Sequence, residues 1–451
     1  MDGPLDRSDV LSSLLTWVAQ IAGGPVVSVV EIVGGNRCLS WAVEAADQRL
    51  YLRYQPPRPP SAEPYTVWRE ATIYRTLLGS GIPAPQLVAV HETHQAILTS
   101  LVPGRADYRR LSREAERVAI AQDFVAALAA LHRLDITGRD VPGLTPGASI
   151  ADCVRREIEI WRAMYAETNR TDPLIDIAFD WIDAHLPVPA GRPVLVHGDA
   201  GPGNFLFEHG HLTALLDWEL AHAGDPMEDL AWFSMRNVME PVPDFARRIA
   251  EYGTYVGIPA DVSRIQYHRV LVSLRVVIIR HRNVTGLPGN SIVSRALNRR
   301  LLVEAMADAS GISVAQPLPL RAPDTARTEL FDAVLNDLRD EIAEISAEPR
   351  VVAAAKNAAK VVKYLRDSDR LRALIEAEEL SALGKILGSP PESVQAGQKE
   401  LFAALKATRI GFEPVLQFFA RSTSRAAELA ASASGGLARR HFPALESDQN
   451  V

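Results

Sequence analysis

The sequence predicts an α+β chain in three parts: a small β-rich N-terminal region, a large mainly helical middle, and an all-α helical bundle. Three observations support this. Short β-branched and aromatic runs punctuated by turn residues fill residues 25–101. From Leu111 onward apolar residues recur at helical spacing, interrupted by one β island. The stretch Gln316-Pro317-Leu318-Pro319-Leu320-Arg321-Ala322-Pro323 reads as a linker before a last set of amphipathic helices.

The first region reads as three strands, a helix and two strands. Val26 to Val33 runs into Gly34-Gly35-Asn36. Leu39 to Glu44 and Arg49 to Tyr54 bracket Ala46-Asp47-Gln48, a hairpin turn. Residues 63–79 read as a helix with Trp68, Thr72, Leu77 and Leu78 near one stripe, stopped by Gly81-Ile82-Pro83. Gln86–Val90 and Ala96–Val102 follow as strands, ending at Pro103-Gly104. In the middle region, Val118, Phe124, Val125, Leu128 and Leu131 mark one helix, and 150–168 and 174–186 two more. The β island comprises Val194–Val196, Asn204–Phe207 and Leu212–Leu216, after which helices run from Pro226 to about Ser310. Beyond the linker, Leu330, Val334, Leu335, Leu338 and Ile342 form an apolar stripe. Similar stripes follow in 351–366, 370–387, 394–407 and 412–431.

Composition excludes several classes. A chain of 451 residues has room for two or three domains at roughly 150 residues each. Its 47% hydrophobic and 23% charged residues are those of a globular protein. A net charge of -7 argues against nucleic acid as a partner. Two cysteines, Cys38 and Cys153, supply neither a disulfide framework nor a cysteine zinc site, and fit a reducing cytoplasm. No apolar run approaches the roughly 20 residues of a membrane span, and the acidic start Met1-Asp2-Gly3-Pro4 is not that of a signal peptide. All six lysines lie at or beyond Lys356, so the first 355 residues use arginine alone.

The chemistry concentrates in Val194-Leu195-Val196-His197-Gly198-Asp199-Ala200-Gly201-Pro202-Gly203-Asn204, continued by Leu215-Leu216-Asp217-Trp218-Glu219 and Gly224-Asp225-Pro226-Met227-Glu228-Asp229. A strand delivers His197 and Asp199 into a loop rich in glycine and proline. Asn204 starts a second strand and Asp217 ends a third, so a hairpin brings those two together facing Asp199. Phosphoryl transfer needs such a set. One carboxylate accepts the proton of the attacking hydroxyl, while an amide oxygen and a second carboxylate hold Mg²⁺ on the nucleotide phosphates. Protein kinases space a His-x-Asp, an Asn and a strand-ending Asp in the same way. His197 reads as a structural group bonding the loop backbone. Asp225, Pro226 and Glu228 read as the cap, first residue and capping-box partner of a helix behind the site. Asp229 reads as a brace for the catalytic loop.

These residues resemble the aminoglycoside phosphotransferase and choline kinase-like family, and look most like the branch fused to certain acyl-CoA dehydrogenases. The resemblance covers about residues 10–310 and implies a two-lobed, protein-kinase-like fold with ATP in the cleft. By that match 1–104 is the N-lobe with an N-terminal helix, and 105–315 the C-lobe with the catalytic loop. Residues 316–326 are then the linker, 327–432 the helical bundle, and 433–451 a tail expected to lack fixed structure. The match makes Asp199 the catalytic base and Asn204 and Asp217 the Mg²⁺ ligands. Gly34 and Gly35 correspond to the nucleotide-covering loop. Arg53 stands where the family has a phosphate-binding lysine, and keeps the charge on a bulkier planar fork. Glu70 is its acidic partner, and the backbone of Ser100 and Val102 meets the adenine edge.

The expected activity is ATP- and Mg²⁺-dependent transfer of phosphate to a hydroxyl of a small molecule. The alternative is a nucleotide-binding pseudokinase or scaffold, favoured only by the missing lysine. Aminoglycosides are polycations and need many carboxylates. Segment 150–190 mixes both signs, with Asp152, Glu157 and Glu159 beside Arg155, Arg156 and Arg162, so ordinary metabolism ranks above antibiotic resistance. Arg269, Arg275, Arg280, His281 and Arg282 either meet an anionic ligand or face solvent. The C-terminal bundle resembles helical domains found attached to such kinases. It is a candidate surface for self-association or a protein partner, with Lys356, Lys360 and Lys363 on one helix face.

Overall fold

The computed structural model describes residues 7–32, 37–282 and 289–446. On α1 (Arg7–Ala22), Val10, Leu14, Val18 and Ala22 recur every four residues and form one buried stripe. That stripe packs on a five-stranded antiparallel sheet of order β1-β2-β3-β5-β4, made of β1 (Val26–Glu31), β2 (Leu39–Ala45), β3 (Gln48–Tyr54), β4 (Leu87–Val90) and β5 (Ala96–Ser100). At the β2–β3 turn, Ala46 and Asp47 have φ of 45° and 63°. Two left-handed residues are what a two-residue hairpin of this twist requires.

The register of β3 determines which side chains reach the cleft. Leu50, Leu52 and Tyr54 join the core beneath α1. The period of two then puts Tyr51 and Arg53 on the opposite face. There Arg53 meets Glu70 of α2 (Val67–Leu77). This helix starts at Val67, later than expected, because Thr66 is its cap and accepts from the Arg69 N–H at 3.1 Å. Its stripe also differs from expectation. Trp68 is 37% and Leu78 69% exposed, whereas Glu70, Ala71, Ile73, Tyr74 and Leu77 are buried. The inward face includes a carboxylate, which an apolar pattern assigns to solvent.

The middle region contains α3 (Glu114–Arg133), α4 (Ile150–Ala166), α5 (Pro173–Ala184), α6 (Pro226–Met239), α7 (Phe245–Val256), α8 (Val262–Arg282) and α9 (Gly289–Ala309). Between them lie two small antiparallel pairs: β6 (Val194–Val196) with β9 (His222–Gly224), and β7 (Phe205–Glu208) with β8 (His211–Leu215). After the linker come α10 (Thr328–Asn336), continued as π-helix over Asp337–Ala343, then α11 (Pro349–Leu387), α12 (Val394–Lys406), α13 (Phe412–Leu429) and the short α14 (Ala431–Ser434). The chain divides into two compact units. One holds the residues up to Ile160, Val188–Ala260 and those from Pro443; the other holds Trp161–Pro187 and Asp261–Phe442.

The second unit starts upstream of the expected linker, because α9 packs directly on α13 and α11. The proline-rich strand is strapped down within it. Arg425 donates to the Leu318 carbonyl at 2.7 Å, the Leu320 N–H to Glu428 at 2.6 Å, and Arg370 to the Ala322 carbonyl at 2.7 Å. The stripes at 351–366 and 370–387 belong to the single helix α11, since no glycine or proline lies between Arg350 and Leu383 to stop it. The α10 stripe does not form a core: Leu330 is 69%, Val334 46% and Ile342 38% exposed. Residues 433–446, expected to lack structure, include part of α14 and a 3₁₀ turn at Gly435–Arg439, and Arg300 donates to the Arg440 carbonyl. The remainder of that tail lies outside the described residues. Among the described residues no helix is long and apolar enough to cross a membrane.

Asp172 gives the second unit a titratable anchor. It caps α5, accepting from the Leu174 N–H at 3.1 Å, and is gripped by both terminal nitrogens of Arg299. Burial opposes its charge, but Arg299 outweighs burial and holds the carboxyl below its ordinary value. An acid depressed in the folded state stabilises it above the unfolded pKa, about 3.9, and loses that contribution as pH falls through the folded pKa. Asp172→Asn keeps a capping oxygen and removes the charge. Urea unfolding should find it less stable by about 2 kcal/mol at pH 7, with the difference from the parent vanishing near about pH 2.

Candidate active site

Asp229, on the first turn of α6, is fully buried and organises the loop after β6. Its Oδ2 accepts the His197 N–H at 2.7 Å and its Oδ1 the Gly198 N–H at 2.9 Å. Oδ2 also lies 3.0 Å from Nε2 of His132, whose Nδ1 is 2.8 Å from the Tyr252 hydroxyl. Asp225 accepts from the Met227 N–H at 2.9 Å, with Pro226 next in the helix. Glu228 meets His222 at 3.4 Å. The cap and first residue of the helix behind the loop are therefore as the sequence implies, while the Glu228 carboxylate faces His222.

His197 is fully engaged. Its Nε2 is 2.9 Å from the Leu216 carbonyl, which can only accept, so that nitrogen carries the proton. Its Nδ1 then accepts the Asp199 N–H at 3.3 Å. The imidazole thus ties the loop to the β8 end. Between His197 and Asp199, Gly198 has φ of +81°, and a Cβ there would sit 2.5 Å from the Leu220 carbonyl oxygen. No side chain fits at this point.

Asp199, Asn204 and Asp217 are brought together by these small strands. The Leu216 N–H donates to the Asn204 carbonyl at 2.8 Å, closing the β7–β8 end, and Asn204 Nδ2 donates to the Asp199 carbonyl at 2.8 Å. That bond uses the amide nitrogen and leaves Oδ1 as the free atom. Asp217 follows β8 in the left-handed region (φ 64°, ψ 60°). The Arg53 Nη1 and Nη2 groups both donate to its Oδ1, at 3.1 and 3.0 Å. Burial opposes the Asp217 charge, but Arg53 and Arg236 outweigh it and keep the carboxyl below its ordinary value.

Arg53 is shared among three carboxylates. Besides Asp217, it reaches Glu219 at 3.1 Å and Glu70 at 3.4 Å. Glu70 is 1% exposed and accepts from the Tyr74 hydroxyl at 3.2 Å; burial raises its pKa despite Arg53. Burial and the Asp217 charge push Glu219 up to about 7.

Two arginines and a glutamate escaped the sequence reading. Arg236, two turns along α6 from Asp229, donates from Nε to Asp199 Oδ1 at 2.8 Å and from Nη2 to Oδ2. Glu219, though inside the quoted motif, received no role. It binds Arg53 and also Arg37, which in turn reaches Glu63 at 3.0 Å. The available signal for Arg236 was that it is the one charged residue between Leu230 and Met239.

Ser100 and Val102 differ from one another. The Ser100 N–H is spent on the Gln86 carbonyl at 2.8 Å and its hydroxyl accepts from the Gln86 N–H, which excludes that N–H from a nucleotide. Val102, just past β5, keeps its backbone groups without a partner among the described residues. Gly34 and Gly35 lie outside the described residues.

The sequence profile of the phosphotransferase enzyme family matches residues 28–264. This chain belongs to that family. Among similar proteins, acyl-CoA dehydrogenase family member 11 of Rattus norvegicus is 28% identical over 221 residues, 47% of this chain and 28% of the relative. Acyl-CoA dehydrogenase family member 10 of Mus musculus is 28% identical over 206 residues, 43% of this chain and 19% of that protein. The match therefore spans less than a third of either relative. A ternary complex of a thermostable aminoglycoside phosphotransferase APH(4)-Ia mutant with ADP and hygromycin B has a TM-score of 0.52 at 16% identity. It covers 67% of this chain and all of that one. A Ralstonia eutropha structure described as an aminoglycoside phosphotransferase has a TM-score of 0.54 at 21% identity, covering 67% of this chain and 99% of the other. These likenesses establish a two-lobed, kinase-like fold.

Because only glycine fits at 198, Gly198→Ala should cost about 2 kcal/mol or more. A denaturant midpoint equal to that of the parent would show that the loop relaxes freely around the added methyl.

Proposed function

We propose that this chain is an ATP- and Mg²⁺-dependent phosphotransferase acting on a hydroxyl of a small molecule. The supporting observation is the convergence of Asp199, the free oxygen of Asn204 and Asp217 on one loop and one hairpin, opposite the Arg53–Glu70 pair. The donor set suits Mg²⁺, a hard ion that takes one or two protein oxygens and completes its shell with water and substrate phosphates. No cluster of three or more His, Cys, Asp or Glu able to hold a metal by itself occurs among the described residues. Asn204 and Asp217 would hold the ion, whose contribution is to offset phosphate charge. Asp199 positions the acceptor hydroxyl and takes its proton. Arg53 supplies the charge that a lysine supplies elsewhere, and its two donors on Asp217 are those a nucleotide phosphate can use. Val102 offers backbone groups to the base.

The Arg236–Asp199 pair adds a positioning role. A guanidinium bonded to both carboxylate oxygens holds Asp199 in one rotamer. That fixed orientation suits a reaction governed by placement of the attacking hydroxyl.

Asp199→Asn should retain nucleotide binding and lose ADP release, on the order of 10²-fold or more. Turnover near the parent level would remove Asp199 as the base. Asp217→Ala should instead weaken Mg²⁺-nucleotide affinity, measured by titration with Mg²⁺ and a non-hydrolysable ATP analogue. Arg53→Ala should cut turnover on the order of 10²-fold, with Arg53→Lys intermediate because a point charge cannot reproduce the fork. A parent that binds nucleotide but turns over no hydroxylated substrate in a broad panel would favour a nucleotide-binding scaffold.

A further inference from the structure

The end of α8, the middle of α9 and the cap of α5 enclose a cavity of about 320 Å³ lined by Arg280, His281, Arg295, Asn298, Arg299 and Asp172. Three guanidiniums face one carboxylate. That carboxylate is committed: Asp172 caps α5 and holds Arg299. Other nearby charges are also occupied, since Arg170 donates to the His281 carbonyl and Arg282 pairs with Glu167 at 3.3 Å.

Arg280 and Arg295 are left over. Among the described residues no acceptor meets the Arg280 side chain, and its Nε is buried without a partner. Arg295 donates one bond, to the Arg280 carbonyl at 3.0 Å, and pairs with no carboxylate among the described residues. Residues 283–288, Asn-Val-Thr-Gly-Leu-Pro, contribute no acid in sequence. Burial lowers the pKa of both, and for Arg295 the charges of Arg299, Arg170 and Arg280 lower it further. Unpaired, half-buried charge at this density is costly. A structural ion-pair network would place acids between these arginines, as the same unit does around Arg425 with Glu378 and Glu428.

We propose that this cavity is a binding site for a phosphate-type oxyanion, the phosphate group of a small phosphomonoester. Guanidinium forks match the oxygen spacing of phosphate and carboxylate, and a tetrahedral dianion satisfies two of them at once. The volume falls at the lower end for small-molecule pockets, enough for a phosphate and the small group that carries it. Asn298 adds an amide on the α9 side, where one of its two Nδ2 hydrogens goes to Ser294 at 3.1 Å and the other remains to donate. None of the lining residues belongs to the compact unit that carries Asp199 and Asp217, and the site stands independently of the reaction proposed above.

The test uses the full chain at low ionic strength, titrated calorimetrically with inorganic phosphate, with sodium acetate as the carboxylate probe. The parent should bind phosphate more tightly than acetate. Arg280→Gln and Arg295→Gln should each weaken phosphate binding on the order of 10-fold or more, and Arg280→Lys less. Arg53→Gln, which removes the phosphate contact proposed at the nucleotide site, should leave this affinity in place. In phosphate-free buffer the two Gln variants should be at least as stable as the parent, because they relieve like-charge crowding. Absence of phosphate binding by the parent, binding abolished by Arg53→Gln but kept by Arg280→Gln, or acetate binding as tight as phosphate would each overturn the proposal. So would destabilisation of both Gln variants without phosphate, which marks a purely structural role.

Discussion

Asp229 has no access to water, and three donors meet it: the N–H groups of His197 and Gly198, and the ring of His132. Burying a carboxylate costs several kcal/mol unless its oxygens are satisfied, and here they are. Because its helix is capped by Asp225 and packed beneath β6, the carboxylate fixes the height and direction of the loop. His197 carries that rigidity across to Leu216, one residue before Asp217. Asn204 carries it to the Asp199 carbonyl. The backbone that carries the three proposed reacting and ligating groups is thus set by these contacts, while Arg236 and Arg53 hold the Asp199 and Asp217 carboxylates.

On the opposite face the charges are distributed differently. Arg53 serves Glu70, Asp217 and Glu219 together. A lysine gathers its three donors on one atom, whereas a guanidinium spreads five over three nitrogens and reaches carboxylates set further apart. The absence of lysine before Lys356 therefore coexists with a site whose cation is built for several partners. The arrangement couples α2, β3 and the β8 end, so a change at Glu70 reaches Asp217 through one side chain.

Arginine plays a structural part elsewhere too. Arg269 and Arg275 on α8 are 3% and 1% exposed. Arg269 lies over the Phe442 ring at 4.8 Å, and burial lowers its pKa to about 10; Arg275 lies over Trp161 at 5.8 Å. The basic stretch that looked uniform in sequence thus divides. Its first two members serve the helix core, while Arg280 and His281 line a cavity and Arg282 pairs with Glu167.

Periodicity and motif spacing determined a good deal by themselves. The pairing of Arg53 with Glu70 followed from the family resemblance; the order of strands and helices through residue 310 apart from β9, the His197 to Asp229 framework and the role of Asp225 as a cap were legible locally. The latter depend on local geometry: a turn, a strand period or a helix start. Tertiary structure decided the rest. Arg236 reaches Asp199 from 37 residues away, and no local pattern encodes such a contact. The Ser100 N–H was taken by Gln86 because of how β4 and β5 pair. The second unit begins before the proline-rich segment because α9 finds its cover on α13, and which apolar faces meet is a property of packing that a linker-like composition does not record.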